Sequence, residues 1–172
     1  MGFLIVIPFF LIRFGLLSLL NKDAVKRAAY FAPLSDNEKT AYWLYQISNM
    51  AVFLSMFFLR IRVTPAGLFY AGVVFYAAGS LLLVVSVIHF ASPSESGMNQ
   101  KGIYRLSRNP MYVAYFIFFL GCVLLTQSLL LFGFVLVFQI TAHWIIRAEE
   151  RWCIRQFGNA YLQYMKNVRR YF

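Results

Sequence analysis

Four apolar runs, Phe3–Leu20, Tyr42–Leu59, Gly67–Phe90 and Met111–Ile146, take up more than half of this 172-residue chain. A helix needs roughly 20 apolar residues to cross a bilayer, so the first three runs read as single spans. The fourth holds 36 residues, too many for one span. Thr126-Gln127-Ser128 interrupts it near the middle, which predicts two shorter helices in a tight hairpin. The expected fold is therefore all-α and membrane-embedded: one domain, 1–172, with five spans at roughly 3–20, 42–59, 67–90, 111–125 and 129–146. A cytoplasmic amphipathic tail helix is expected over 147–170. Composition agrees, with 61% hydrophobic and only 13% charged residues, a balance that no soluble domain of this size carries. The first run has no basic flank before it and no small-residue cleavage site after Leu20, and is read as a retained span rather than a signal peptide.

Basic residues set the expected orientation. Loop 21–40, loop 91–110 and the tail carry 13 of the 16 Lys and Arg; only Arg13, Arg60 and Arg62 lie elsewhere. The positive-inside rule puts those three segments in the cytoplasm and the N-terminus outside, as expected for a prokaryotic inner (plasma) membrane protein. The net charge of +10 is spread over loops beside helices, so its expected partners are anionic membrane lipids and not nucleic acid. Cys122 and Cys153 have neither metal-ligand spacing nor an oxidising surrounding, so neither a disulfide nor a metal is expected. Ser92–Gly97 reads as a turn after the third span.

On the tail, Cys153, Ile154, Phe157, Tyr161, Tyr164, Met165 and Val168 recur at helical spacing and form one apolar stripe, with a bend expected at Gly158. Glu150 heads that stripe, and Arg147 three residues earlier is expected to point into the same space. Two readings stay open for the glutamates. Either Glu149 or Glu150 pairs internally with Arg147, Arg151 or Arg108, or one of them receives a cationic ligand group. His143, four residues before Arg147, is either a hydrogen-bonded packing residue or a contact to cofactor or substrate. Arg13, inside the first span, can snorkel, pair with a headgroup or line a cavity.

The second polar block, Gly102 to Tyr112, ends in Arg108-Asn109-Pro110. Proline bars its predecessor from helical geometry and then suits the first turn of a helix, whose free N–H groups would face a polar pocket. The pattern Gly102-x-Tyr104-x-x-x-Arg108-Asn109-Pro110-x-Tyr112, followed after the hairpin by Arg147-x-Glu149-Glu150 and by Phe157-Gly158-x-x-Tyr161-x-x-Tyr164-x-x-x-Val168, resembles the isoprenylcysteine carboxyl methyltransferase and phospholipid methyltransferase superfamily, in its short prokaryotic branch. The resemblance spans about 70 residues from Gly102 onward.

That resemblance implies an integral membrane methyltransferase using S-adenosylmethionine. Tyr104, Arg108, Asn109, Pro110 and Tyr112 would shape the cofactor pocket. Glu150, or failing it Glu149, would accept the methionyl ammonium, with Arg147 towards the cofactor carboxylate or substrate and His143 as a further catalytic candidate. The acceptor would be a lipid or other hydrophobic or amphiphilic small molecule presenting a carboxylate, thiol or amine, its tail leaving beside Phe116, Phe118 and Phe119. Eukaryotic carboxyl methyltransferases commonly have His at the position of Asn109 and Gly at that of Ala114, which speaks against a prenylated cysteine substrate here. Two other functions compete: a non-catalytic membrane binding or assembly protein of the same fold, and an NADPH-dependent membrane reductase.

Overall fold

A computed structural model describes residues 1–94 and 97–172. Glu95 and Ser96, in the middle of the turn expected at Ser92–Gly97, lie outside the described residues. Among the described residues every regular element is helical. The long elements are α1 (Gly2–Leu20), α3 (Lys39–Phe58), α4 (Ala66–Ala91), α5 (Pro110–Thr126) and α6 (Leu129–Phe157). Two short helices, α2 (Lys22–Ala29) and α7 (Asn159–Asn167), complete the set. Helices α1, α4 and α6 are long and apolar enough to cross a membrane; α5 is apolar but shorter. The chain is an all-α membrane protein.

Local chemistry sets the boundaries. Asn21 accepts from the backbone N–H of Asp23 and Ala24 and starts α2. Ser35 and Glu38 form a reciprocal capping box before α3, satisfying amides that would otherwise be orphaned. The expected hairpin turn is present. Gln127 adopts a left-handed conformation (φ 52°) and ends α5, and the Ser128 hydroxyl caps α6. Pro110 occupies the first turn of α5.

The tail departs from expectation. Nothing breaks the chain at residue 147, and α6 continues through both glutamates to Phe157. At 29 residues it is about 43 Å long, some 13 Å more than a hydrocarbon core. Its last turns must stand clear of the bilayer if the rest is embedded. The bend falls at Gly158, whose φ of 56° suits glycine. Helix α7 stops at Asn167, and Val168, its C-cap, has extended backbone angles.

Helices α4 and α5 pack most closely, through glycine. A Cβ at Gly79 would run into the Phe118 backbone, one at Gly121 into the Tyr76 backbone, and one at Gly72 would sit 2.9 Å from the Leu125 nitrogen. Small residues permit this approach, which earns dispersion energy where lipid removes any hydrophobic drive. Helix α3 packs on α6, with Tyr45 stacked on Phe138 at 4.9 Å between centroids. Phe9 of α1 plugs the middle, its ring 5.2–5.6 Å from those of Phe53, Tyr115, Phe118 and Phe119. Phe118 and Phe119 are thus fully buried core and do not flank an opening for a substrate tail.

Backbone contacts sort the loops into two groups. At one end Gly2 bonds Leu59, Arg62 bonds Leu125, and the Gln127 side chain bonds the Thr64 carbonyl. At the other end Asn21 and Arg27 donate to the carbonyls of Ala91 and Phe90. Arg151 pairs with Glu38 there, a hydrogen bond that, despite opposing burial, holds the Glu38 carboxyl down to about 2. The segments richest in Lys and Arg share this second end.

Candidate functional site

The Gly102–Pro110 block folds against the end of the chain. Gly102 has φ 58° and lies so close to the His89 ring that no Cβ fits. A single 3-10 turn, Gly102–Arg105, then buries Tyr104, whose carbonyl accepts from the Tyr164 hydroxyl. Ser107, Arg108 and Asn109 all bond the segment after α7. Ser107 Oγ donates to the Arg170 carbonyl (3.3 Å), the Arg108 amide to the Arg169 carbonyl (2.9 Å), and Asn109 Nδ2 to the Arg170 carbonyl (3.1 Å). Asn109 also donates its backbone N–H to Ser107 Oγ.

Beneath this strap, Glu150 sits between two arginines. Its Oε1 accepts from Arg108 Nε (3.0 Å) and Nη2 (2.7 Å), and its Oε2 from Arg170 Nη2 (2.7 Å) and Nε (3.1 Å). Arg108 Nη1 caps the carbonyls of Met165 and Val168. The Glu150 and Arg108 side chains are only 5% and 7% exposed and Arg170 is 31% exposed, so this is a hydrogen-bonded triad with a buried pair at its centre and Arg170 covering it from the outside. Its bonds to Glu150 hold the Arg170 guanidinium above its ordinary value. The internal ion pair is realised as Glu150 with Arg108. Arg170 is the partner that sequence reasoning missed, because a terminal Arg-Arg looks like one more headgroup contact.

Glu149 faces elsewhere. Its Oε1 accepts from the Tyr112 hydroxyl at 2.9 Å, and it makes no ion pair among the described residues. Tyr112 touches Tyr115, and Tyr115 touches Phe9 and the guanidinium of Arg13. Arg13 donates through Nη2 to the Ala28 carbonyl at 2.9 Å, while its Nη1 is enclosed without a hydrogen-bond partner among the described residues. His143 shares a hydrogen bond with the Tyr171 hydroxyl at 3.0 Å. Arg147 is exposed while Glu150 is buried. Residues three apart lie only about 60° apart around a helix, yet the two do not share one space: Glu150 is drawn inward by Arg108 and Arg170, and Arg147 faces out.

The structure therefore brings together Tyr104, Arg108, Asn109, Pro110, Tyr112, Glu149 and Glu150 at one end of the bundle, with His143 at the edge of the strap and Arg147 outside. Two chemically different places result. The triad is saturated: every oxygen of Glu150 is used. The Glu149 region holds a carboxylate with one hydrogen bond and a guanidinium nitrogen with none, which suits a ligand carrying charges of its own. No group of three or more His, Cys, Asp or Glu side chains is placed to hold a metal ion among the described residues.

Neither a curated protein nor a solved structure matches the chain. A family model does: that of phospholipid methyltransferase, over residues 66–160. This stretch runs from the start of α4 through the Gly102–Pro110 block, the hairpin and both glutamates. With more than half of its length matched, the chain belongs to the phospholipid methyltransferase family.

Proposed function

We propose that this membrane methyltransferase binds S-adenosylmethionine at the end of the bundle where Glu149 lies, and transfers its methyl group to a lipid or other amphiphilic small molecule. The observation that carries this reading is the state of the two glutamates. Glu150 is spent on Arg108 and Arg170. Glu149, held by one tyrosine and in no ion pair among the described residues, is free to accept an ammonium. When bound, the cofactor supplies an electrophilic methyl on a sulfonium, whose displacement needs alignment and exclusion of water more than acid or base. Tyr112 orients the Glu149 carboxylate. Arg108 and Asn109 act by tying the C-terminal segment over the site, and His143 with Tyr171 closes its edge.

Calorimetric titration of the detergent-solubilised chain with S-adenosylmethionine, S-adenosylhomocysteine and NADPH tests this. The two sulfur nucleosides should bind and NADPH should not. Glu149→Gln should weaken both by about 10- to 150-fold, the worth of a hydrogen bond to a charged group, while melting close to the parent. Binding of NADPH alone would make the chain a reductase, and unchanged binding by Glu149→Gln would move the ammonium elsewhere.

The reading also includes five spans, counting α3 and α5, with the strap in the cytoplasm of a prokaryotic inner membrane; the basic loops clustered at the strap end support it. Cysteines introduced at Ser94 and Asn167 should be labelled from the cytoplasmic side only, and one at Thr64 from outside only. Labelling of Ser94 and Thr64 from the same side would refute this topology.

A further inference from the structure

Arg13 lies outside the residues that the family model matches, which begin at residue 66, so membership of the family assigns it no role. The helix around it is unusual. Between the α-helical stretches Ile7–Phe10 and Leu17–Leu20, residues Leu11–Leu16 wind as a π-helix. Such widened turns are rare overall and frequent at functional sites. Here the widened turn carries the one basic residue of α1.

The guanidinium is only half satisfied. Nη2 is tied to the Ala28 carbonyl, and the carbon of the head lies 6.0 Å from the Tyr115 ring centre. Nη1 is enclosed with no acceptor among the described residues, an arrangement that costs free energy unless something supplies one. Tyr115 leads to Tyr112, 5.9 Å away between centroids, and Tyr112 holds Glu149. A cation with a free N–H and a carboxylate with no ion pair among the described residues thus stand at the two ends of the Tyr115–Tyr112 pair without pairing with each other. Half-buried opposite charges kept apart in this way match a ligand that carries an oxyanion beside an ammonium.

Two ligands offer that chemistry: the amino-acid end of the cofactor and the headgroup of a zwitterionic lipid. Position favours the first. Arg13 is bonded to α2, whose Arg27, with its cap Asn21, is anchored to the carbonyls that end α4. This is the loop end, from which a water-soluble ligand approaches. Arg147, which the motif alone suggested for the carboxylate, is exposed.

We infer that Arg13 receives the carboxylate of the cofactor's amino-acid end while Glu149 takes its ammonium, an assignment that rests on the cofactor reading above. Helix α1 then belongs to the binding site through a residue that no motif marks, and its π-helical turn is what delivers the guanidinium.

The test compares S-adenosylhomocysteine with 5′-methylthioadenosine, which keeps the nucleoside thioether and lacks the amino-acid end, by calorimetry on the full chain in detergent. The parent should bind S-adenosylhomocysteine more tightly. Arg13→Gln, which keeps an N–H donor without the charge, should lose about 10- to 150-fold for S-adenosylhomocysteine and nothing for methylthioadenosine. Arg13→Lys, which keeps the charge and loses the fork, should fall between Gln and the parent, and it carries the test if Arg13→Gln does not fold. Parental affinity for S-adenosylhomocysteine in these variants would overturn the assignment while leaving the cofactor reading intact. A loss confined to a short-chain zwitterionic phospholipid would overturn it in favour of the acceptor. A parent that binds neither nucleoside would overturn the cofactor reading and the assignment together.

Discussion

Glu150→Gln should destabilise the protein by about 3–5 kcal/mol, the cost of removing one partner from a buried ion pair. The substitution leaves the Arg108 guanidinium, 7% exposed, facing a neutral amide, and strips Arg170 of its charge-assisted bonds. One half of the new amide is itself a donor pointed at donors. The strap should loosen with it, because Arg108 Nη1 also holds the carbonyls of Met165 and Val168. Thermal melting in detergent and limited proteolysis after Asn167 would report the two effects separately. Glu149→Gln, one residue away, removes no ion pair and should melt near the parent. Equal melting of both variants would show that the triad contributes nothing to stability. Replacing all three members by apolar residues of similar volume should cost far less than Glu150→Gln alone, since no buried charge is then left unmatched.

Gly79→Leu should be as damaging, through geometry and not charge. In an exposed helix, replacing glycine improves helix propensity by up to about 1 kcal/mol. At Gly79 the first added carbon already collides with the Phe118 backbone, and two rigid helices cannot give way as a side-chain tip can. Overpacking of this kind costs about 1–3 kcal/mol and more when backbone must move. The α4–α5 pair carries the Gly102 block at its end, so cofactor affinity should fall with stability. Gly133→Ala is the control. Nothing lies within 4 Å of a Cβ there, and the variant should melt at or above the parental temperature. A Gly79→Leu protein that melts like the parent would mean that α4 and α5 do not pack as described.

Much of this architecture is legible in the sequence because it is local. The apolar runs, the Thr126-Gln127-Ser128 turn, the Pro110 start and the Gly158 bend each depend on a few neighbouring residues. The Arg108–Glu150 pair was within reach as one of several permitted pairings. What could not be read is set by contacts over long separations. Arg170 meets Glu150 across 20 residues and Asn109 across 61, and no periodicity encodes that return. The unbroken passage of α6 through the glutamates was missed for a related reason: a change from apolar to charged residues marks where a helix leaves lipid, not where it ends. Phe118 and Phe119 look lipid-facing by composition, and only the close approach permitted by Gly79 and the insertion of Phe9 make them core.

The strap also sets an order of events during synthesis. Ser107 and Asn109 find their acceptor on residue 170, and Arg108 on residues 165, 168 and 169, so the loop is made some sixty residues before its partners exist. Until the residues after α7 are made, Arg108 and Glu150 have only each other, and the loop amides have water. The polar end can lock only once residue 170 has left the ribosome. The bundle is therefore assembled first and sealed last.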